Sequence, residues 1–180
     1  MRITAGKYRN RQLLVPPTGL RPTTDMVRQA LFNILGPLDG LRFADLCAGS
    51  GSVGLDALSR GAGEVVFVEQ DRASAAVIRK NLAAVGAEAE VYVRPVLSFV
   101  SSWKGPAFDI VYLDPPYGAD SLYAALSTAG IAGLVRKRLI IEIRANDSPP
   151  SCEGLVQQDL RRYGDTALVL YAPDKGAGDA

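Results

Sequence analysis

Histidine is absent from the 180-residue sequence, and its absence excludes several kinds of chemistry. Ser-His-Asp hydrolysis, Cys-His nucleophiles and histidine-ligated metals all require an imidazole. Cysteine is also scarce, since Cys47 and Cys152 are too few and too far apart for a disulfide framework or a metal knuckle. Catalysis must therefore use carboxylates, backbone groups or a cofactor, and we expect no metal.

Long hydrophobic runs are missing as well. No apolar run approaches the roughly 20 residues that a membrane span needs, and the opening residues contain no apolar signal core. The sequence therefore predicts a soluble, cytoplasmic protein. Its length and its 48% hydrophobic content are enough for one sizeable core, so we expect a single main domain with appendages.

The charge of the chain is unevenly distributed. Residues 1–38 contain six basic residues and one acidic residue, which gives +5, whereas the rest contains 14 basic and 18 acidic residues, which gives −4. A basic extension on a mildly acidic body favours a polyanionic partner. Residues 23–36 of this extension have the cap and the apolar periodicity of a helix, so part of it should be anchored to the core.

Apolar runs alternate with helix-like segments from Arg42 onward, which is typical of βα repeats and a mostly parallel sheet. The end of the chain instead resembles an antiparallel hairpin around residues 164–166. We predict a doubly wound α/β fold with a seven-stranded sheet and a reversed last strand. The runs predicted as parallel strands are 42–47, 64–69, 89–93, 108–114 and 138–143.

A glycine-rich loop follows the first strand and leads into a helix. Gly49, Gly51 and Gly54 match the pattern G-x-G-x-x-G of dinucleotide-binding folds. Glycine lets the backbone approach a ligand closely, and a helix N-terminus offers free N–H groups. Because doubly wound folds of many functions place glycines here, a purely structural turn remains an alternative.

Two carboxylates flank this loop. Asp45 lies four residues before Gly49, where it can meet a ligand ammonium directly or through water but would repel a pyrophosphate. The methionine end of S-adenosylmethionine (SAM) carries such an ammonium, and NAD does not. Glu69 ends the second strand, where it can accept from a ribose diol in either cofactor. After the third strand Pro95 lacks an N–H, so an adenine hydrogen bond there would use the Val96 amide.

The fourth predicted strand ends in Asp114-Pro115-Pro116-Tyr117. The exocyclic amine of a nucleobase is a poor nucleophile, and two acceptors on its two N–H bonds favour rehybridisation toward tetrahedral nitrogen. Asp114 and the Pro115 carbonyl could be these acceptors, because the prolines restrict the backbone and preorganise the loop. Tyr117 offers a ring on which an extruded base can stack. The alternative is a rigid turn in which Asp114 caps the backbone and Tyr117 covers the sheet edge.

The sequence resembles the RsmD family of bacterial 16S rRNA guanine-N2 methyltransferases, which belong to the class I SAM-dependent methyltransferases with a Rossmann-like fold. The resemblance covers nearly the whole length and is most specific in the N-terminal blocks. The matching blocks are Arg2-Ile-Thr-Ala-Gly-Lys-Tyr-Arg-Asn-Arg-Gln-Leu13, Leu20-Arg-Pro-Thr-Thr-Asp25, Ala48-Gly-Ser-Gly51 and Asp114-Pro-Pro-Tyr117.

The resemblance implies methyl transfer from SAM to N2 of a guanine in 16S rRNA, within an assembling small ribosomal subunit, by a monomer. It implies three segments: the RNA-binding extension 1–38, the methyltransferase domain 39–173 and a frayed tail 174–180. It assigns Asp114, Pro115, Pro116 and Tyr117 to the target amine. It assigns SAM to Asp45, Ala48, Gly49, Gly51, Glu69 and Val96, and RNA to Lys7, Arg9, Arg11, Arg21 and Arg28.

Four other functions remain alternatives at this point. A DNA adenine-N6 methyltransferase uses the same type of loop, although no segment here is long enough for a separate DNA-recognition domain. A glutamine-modifying protein methyltransferase would have an Asn-led loop. An NAD-dependent dehydrogenase lacks a histidine acid-base and leaves the Asp-Pro-Pro-Tyr segment unexplained. A non-catalytic RNA-binding assembly factor is disfavoured only by the intact loop.

Overall fold

A computed structural model of the protein describes residues 1–16, 23–115 and 120–174. The strands of its sheet are β1 (Arg42–Leu46), β2 (Glu64–Glu69), β3 (Glu90–Val93), β4 (Phe108–Leu113), β5 (Val135–Arg144), β6 (Leu155–Tyr163) and β7 (Thr166–Pro173). The helices are α1 (Asp25–Leu35), α2 (Ser52–Ser59), α3 (Arg72–Val85), α4 (Val96–Ser102) and α5 (Asp120–Thr128), with a 3₁₀ turn at Ile131–Leu134.

The strands form one sheet in the order β3-β2-β1-β4-β5-β7-β6. Strands β1 to β5 are parallel, and β7 runs antiparallel between β5 and β6. The predicted doubly wound sheet with a reversed last strand is therefore confirmed. The strand order reverses between β1 and β4, and in open α/β sheets a ligand crevice forms at this point.

Buried side chains form two clusters, one on each face of the sheet. Helices α1, α2 and α3 pack on one face, and α4, α5 and the 3₁₀ turn pack on the other. The central strands are buried on both faces, which explains their continuous apolar runs in the sequence. This packing holds the carboxyl ends of β1, β2 and β4 in fixed positions around the crevice.

Local signals explain where the long helices begin and end. At α3 the Asp71 carboxylate accepts a hydrogen bond from the Ser74 amide at 2.7 Å, and Gly86 ends the helix. At α1 the Thr24 hydroxyl accepts from the Val27 amide at 3.3 Å. The capped helix predicted within residues 23–36 corresponds to α1.

The N-terminal segment 1–16 is packed against the rest of the chain. Ile3 and Leu13 are buried in the cluster that contains α1, α2 and α3. The Lys7 amide donates to the Ser59 carbonyl at 2.7 Å, and the Asn81 side chain both accepts from the Leu14 amide and donates to the Leu14 carbonyl. This part of the extension is therefore integrated into the fold.

Candidate active site

A cavity of about 510 Å³ opens at the carboxyl ends of β1, β2, β3, β4 and β5. Its size lies within the range of small-molecule sites in proteins. The first and fourth strands are neighbours in the sheet, and residues at the ends of both line the cavity. The lining includes Asp45, Ala48, Gly49, Glu69, Arg94, Pro95, Val96, Asp114 and Pro115, together with Thr23, Tyr112 and Glu142.

The glycine-rich loop is shaped by close packing. Gly51 precedes α2 with a left-handed φ of 74°, and it lies behind the loop and not among the residues that line the cavity. At Gly54 a Cβ atom would lie 2.3 Å from a ring carbon of Phe67, so only glycine lets α2 pack this closely on β2. Gly49 and Ala48 line the cavity, whereas Gly51 lies beside the side chains of Ile78 and Phe67. Binding of SAM by these three residues stays a prediction.

Glu69 is fixed at the end of β2 by two backbone donors. One carboxylate oxygen accepts from the Gly49 amide and the other from the Asp71 amide, both at 2.8 Å. A carboxylate oxygen has a second acceptor site, so both oxygens retain capacity toward the cavity. Glu69 therefore joins the glycine loop to the second strand and presents an acceptor where a ribose diol was predicted.

Asp45 is buried at the end of β1, and its side chain makes a hydrogen bond within the protein. Its carboxylate accepts from the Gly54 amide at 2.8 Å, in the first turn of α2. Burial raises the pKa of Asp45 to about 8, and this hydrogen bond opposes the shift. The side chain also lines the cavity, so a cationic group placed there would favour its ionised form.

Val96 is the first residue of α4 and lies on the cavity wall with Pro95. The first amides of a helix have no intrahelical acceptor, so the Val96 N–H is available in principle to a ligand. Arg94, which precedes them, donates to the Ser102 hydroxyl at 3.2 Å and stacks over the Tyr92 ring. The Val96 N–H could therefore make the predicted hydrogen bond to an adenine ring.

Asp114 follows β4 and faces the same cavity. Its carboxylate accepts from the Thr23 hydroxyl at 3.2 Å, and its amide donates to the Leu46 carbonyl at 3.3 Å. Desolvation by the surrounding protein raises the pKa of Asp114 well above its usual value, and the charge of Glu142 adds to this effect. Pro115 is buried and lines the cavity, while the predicted Pro116 and Tyr117 lie outside the described residues.

Thr23, Tyr112 and Glu142 are among the cavity residues that the sequence-based prediction missed. The Tyr112 hydroxyl donates to the Glu142 carboxylate beside Asp114. A signal for Glu142 was present, because an acidic residue interrupts the buried apolar run of β5. Thr23 had no comparable signal, since its contact with Asp114 spans 91 positions in the sequence.

The basic residues of the extension divide into two groups. Lys7, Arg9 and Arg11 are exposed, and Arg21 lies outside the described residues. Arg28 is fully buried: it donates to the Arg2 carbonyl at 2.7 Å and pairs with two carboxylates. The prediction that Arg28 contacts RNA is therefore wrong, because its guanidinium joins α1 and α2 inside the protein.

Comparison with known proteins identifies the family. The family model described as conserved hypothetical protein 95 matches residues 1–172. The chain belongs to this family. The solved structure of the yhhF protein from Escherichia coli, at 34% identity, superposes with a TM-score of 0.84 and covers 97% of this chain and 98% of that one. The resemblance to the RsmD family is confirmed.

Two curated relatives in this family are named ribosomal RNA small subunit methyltransferase D. The protein of Escherichia coli K12 is 45% identical over 120 residues, which are 65% of this chain and 60% of the relative. The chain thus aligns with less than two thirds of that relative's length. The protein of Haemophilus influenzae is 36% identical over 156 residues, covering 83% of this chain and 81% of the relative.

No helix within residues 1–16, 23–115 and 120–174 is long and apolar enough to cross a membrane. Within the same ranges, no group of three or more histidine, cysteine, aspartate or glutamate side chains is arranged to hold a metal ion.

Proposed function

We propose that this protein transfers a methyl group from SAM to the exocyclic N2 of a guanine in small-subunit (16S) rRNA. One observation carries the proposal: Asp114 and Pro115 face the same cavity as the glycine loop and Glu69. Bound SAM supplies an electrophilic methyl group on a sulfonium. A cofactor subsite and an amine-binding loop in one crevice match the needs of methyl transfer to an amine.

We assign the residues that bind SAM from the hydrogen-bond donors and acceptors that line the cavity. Glu69 has acceptor capacity for the ribose hydroxyls, and Gly49 and Ala48 let the ligand approach the loop backbone. Asp45 provides negative charge for the ammonium of the methionine end. The Val96 amide is assigned to the adenine ring.

The target amine is assigned to the loop that follows β4. Asp114 and the Pro115 carbonyl are assigned as acceptors for the two N–H bonds of the target amine, which orients the nitrogen lone pair toward the methyl group. Pro116 restricts the loop and Tyr117 provides a stacking surface for a guanine extruded from its helix, worth about 1 to 3 kcal/mol in nucleic-acid complexes. The guanine would enter on the side of the crevice nearer β5.

We predict that SAM binding depends on pH through Asp45. Its pKa of about 8 means that it is protonated near pH 6 in the free protein, and a bound ammonium requires the ionised form. The dissociation constant for SAM should fall as pH rises from 6 to about 7.5, by at most about tenfold per unit. Isothermal titration calorimetry measures this change. Asp45→Asn should bind SAM more weakly, with a dissociation constant that does not change with pH. A dissociation constant that does not change with pH in the native protein would refute the assignment.

The exposed basic residues Lys7, Arg9 and Arg11 are proposed to contact rRNA phosphates, together with Arg21. The triple variant K7A/R9A/R11A should bind small-subunit rRNA roughly tenfold to 100-fold more weakly at 0.1 M salt. It should also reduce the slope of log affinity against log salt by about two to three. Filter binding over a salt series measures both quantities.

The matched control removes three exposed basic residues near the amino ends of β4 and β5, namely Lys104, Arg136 and Lys137. This control should leave affinity and salt slope nearly unchanged. Equal losses in the two triple variants would mean that the extension is not the RNA-binding surface.

Tritium transfer from labelled SAM discriminates among the candidate functions. We expect incorporation into small-subunit rRNA or subunit particles and none into DNA. Incorporation into DNA alone would support an adenine-N6 methyltransferase, and tight rRNA binding without incorporation would support an assembly factor. Because the proposed substrate is ribosomal, we propose a cytoplasmic enzyme that acts on an assembling small subunit, and we propose that it is a monomer, as the family resemblance implies.

A further inference from the structure

The N-terminal segment 1–16 reaches the wall of the cavity at residues 15 and 16. Leu13 is buried in the core, and Val15 and Pro16, two and three positions further along, line the cavity. Ser50 of the glycine loop belongs to the same lining. The segment that carries the exposed basic residues therefore also borders the crevice in which SAM is proposed to bind.

Two large apolar side chains of this cavity wall are in contact with water. Val15 is 43% exposed, and Leu97, in the first turn of α4, is 36% exposed. A ligand that fills the cavity would cover both side chains, and removal of apolar surface from water favours binding. Val15 and Leu97 thus provide apolar contacts that complement the carboxylates and amides of the site.

Asn81 fixes the backbone of the residue that precedes Val15. This asparagine lies in α3 and is buried. Its carbonyl oxygen accepts from the Leu14 amide at 2.8 Å, and its amide nitrogen donates to the Leu14 carbonyl at 3.0 Å. One side chain therefore pairs with both backbone groups of Leu14, and it fixes the chain just before the chain enters the cavity wall.

The Asn81 side chain also holds the glycine loop. Its amide nitrogen donates to the Ser50 carbonyl at 3.1 Å. A primary amide has two N–H donors, so one serves the N-terminal segment and the other serves the loop. A buried amide costs free energy when its hydrogen bonds are not made, so displacement of either partner is unfavourable. Asn81 thereby fixes the position of Leu14 relative to the glycine loop.

We propose that Val15 and Pro16 form an apolar part of the SAM site and that Asn81 is the positioning residue that holds them there. The inference rests on the proposed SAM site in the same cavity, and it adds a contribution from the N-terminal segment. Asn81 is not among the described residues that line the cavity, so it acts on SAM through Val15 and Pro16.

The test measures the dissociation constant for SAM by calorimetry in the full-length protein. Asn81→Ala releases the wall and should raise this constant roughly fivefold to 30-fold. Val15→Ala removes apolar surface and should raise it about threefold to tenfold. The double variant N81A/V15A should bind about as weakly as Asn81→Ala alone, because Val15 contributes little once its position is lost. Independent effects that multiply in the double variant would overturn the proposal.

Ser59→Ala is the matched control. Ser59 is a buried residue of α2 whose hydroxyl accepts from the Tyr8 amide and donates to the Ala5 carbonyl, so it anchors the same N-terminal segment. None of these three described residues lines the cavity. Ser59→Ala should lower the melting temperature, as Asn81→Ala does, and leave SAM affinity unchanged. Equal weakening of SAM binding in the two variants would mean that general loss of packing is responsible, and the proposal would fall.

Amide hydrogen exchange, measured by NMR on the native protein, gives a readout without turnover or substitution. Opening of the chain at Leu14 would break its contact with bound SAM, so saturating SAM should slow exchange of the Leu14 amide roughly tenfold or more. The Tyr8 amide, which is bonded to Ser59, should be slowed less. Equal slowing at the two amides, or none at Leu14, would contradict a wall formed by this segment.

Failure of this inference is distinguishable from failure of the proposed function. SAM affinity that falls in Asp45→Asn but not in Asn81→Ala would leave the proposed SAM site in place and refute the inference. SAM affinity that depends on Asn81 in a protein that does not methylate rRNA would contradict the proposed function and support the inference.

Discussion

Alanine in place of Asp114 is expected to lower kcat for methyl transfer by roughly 10²- to 10³-fold, with SAM affinity nearly unchanged. The substitution removes one of the two acceptors assigned to the target amine. Asp114 contacts Thr23 and the end of β1, whereas the assigned SAM contacts come from Asp45, Glu69 and the glycine loop. Single-turnover kinetics with labelled SAM separate the chemical step from binding.

The matched control is Asp147→Ala, which removes an exposed aspartate from the segment after β5. Its kcat and melting temperature should match those of the native protein. Undiminished turnover in Asp114→Ala would remove Asp114 from the mechanism, and a parallel loss of SAM binding would indicate that the variant damages the whole cavity.

Alanine at Arg28 is expected to reduce the free energy of unfolding by about 3 to 5 kcal/mol. Arg28 and Asp56 both have fully buried side chains, and the Arg28 Nε lies 3.0 Å from an Asp56 carboxylate oxygen. Removing Arg28 takes away the buried guanidinium that pairs with Asp56, which leaves Arg60 as its cationic neighbour, and it leaves the Arg2 carbonyl without its donor. Burial already raises the pKa of Asp56, so the variant should bind a proton there at a higher pH than the native protein. Urea unfolding at pH 7 measures the loss.

Two further variants make this prediction specific. Arg9→Ala removes an exposed charge from the same extension and should change stability by less than about 0.5 kcal/mol. The double variant R28A/D56A should be less destabilised than the sum of the two single variants, because it leaves no unpaired buried charge. A small effect of Arg28→Ala, comparable to that of Arg9→Ala, would contradict the structural role.

The strands were predictable because burial on both faces makes them continuous apolar runs between turn signals. β2 has the predicted bounds, and β1 and β4 end one residue earlier than predicted. β5 begins three residues earlier than predicted, at Val135. The prediction missed these residues because they are mostly exposed and polar and pair with β4 only beside a bulge. A run of exposed basic residues at the start of a strand resembles loop sequence.

The site residues that belong to short sequence motifs could be predicted. Asp45, the glycine loop, Glu69 and Asp114 each lie at or just after the carboxyl end of a strand, so the parallel topology alone brings them to one end of the sheet. Contacts between distant segments were not predictable in this way. The burial of Arg28 depends on Asp56 in another helix, and the bond from Thr23 to Asp114 depends on how the extension packs.

The most direct test of the proposed function is identification of the methylated nucleoside. Small-subunit rRNA or subunits from a bacterial strain lacking its own methyltransferase of this family are incubated with the protein and SAM. The RNA is then digested and analysed by mass spectrometry. We predict N2-methylguanosine at one position, absent with the Asp114→Ala variant. Methylation of adenine N6, methylation at another guanine atom, or no methylation of either RNA or particle would contradict the proposed function.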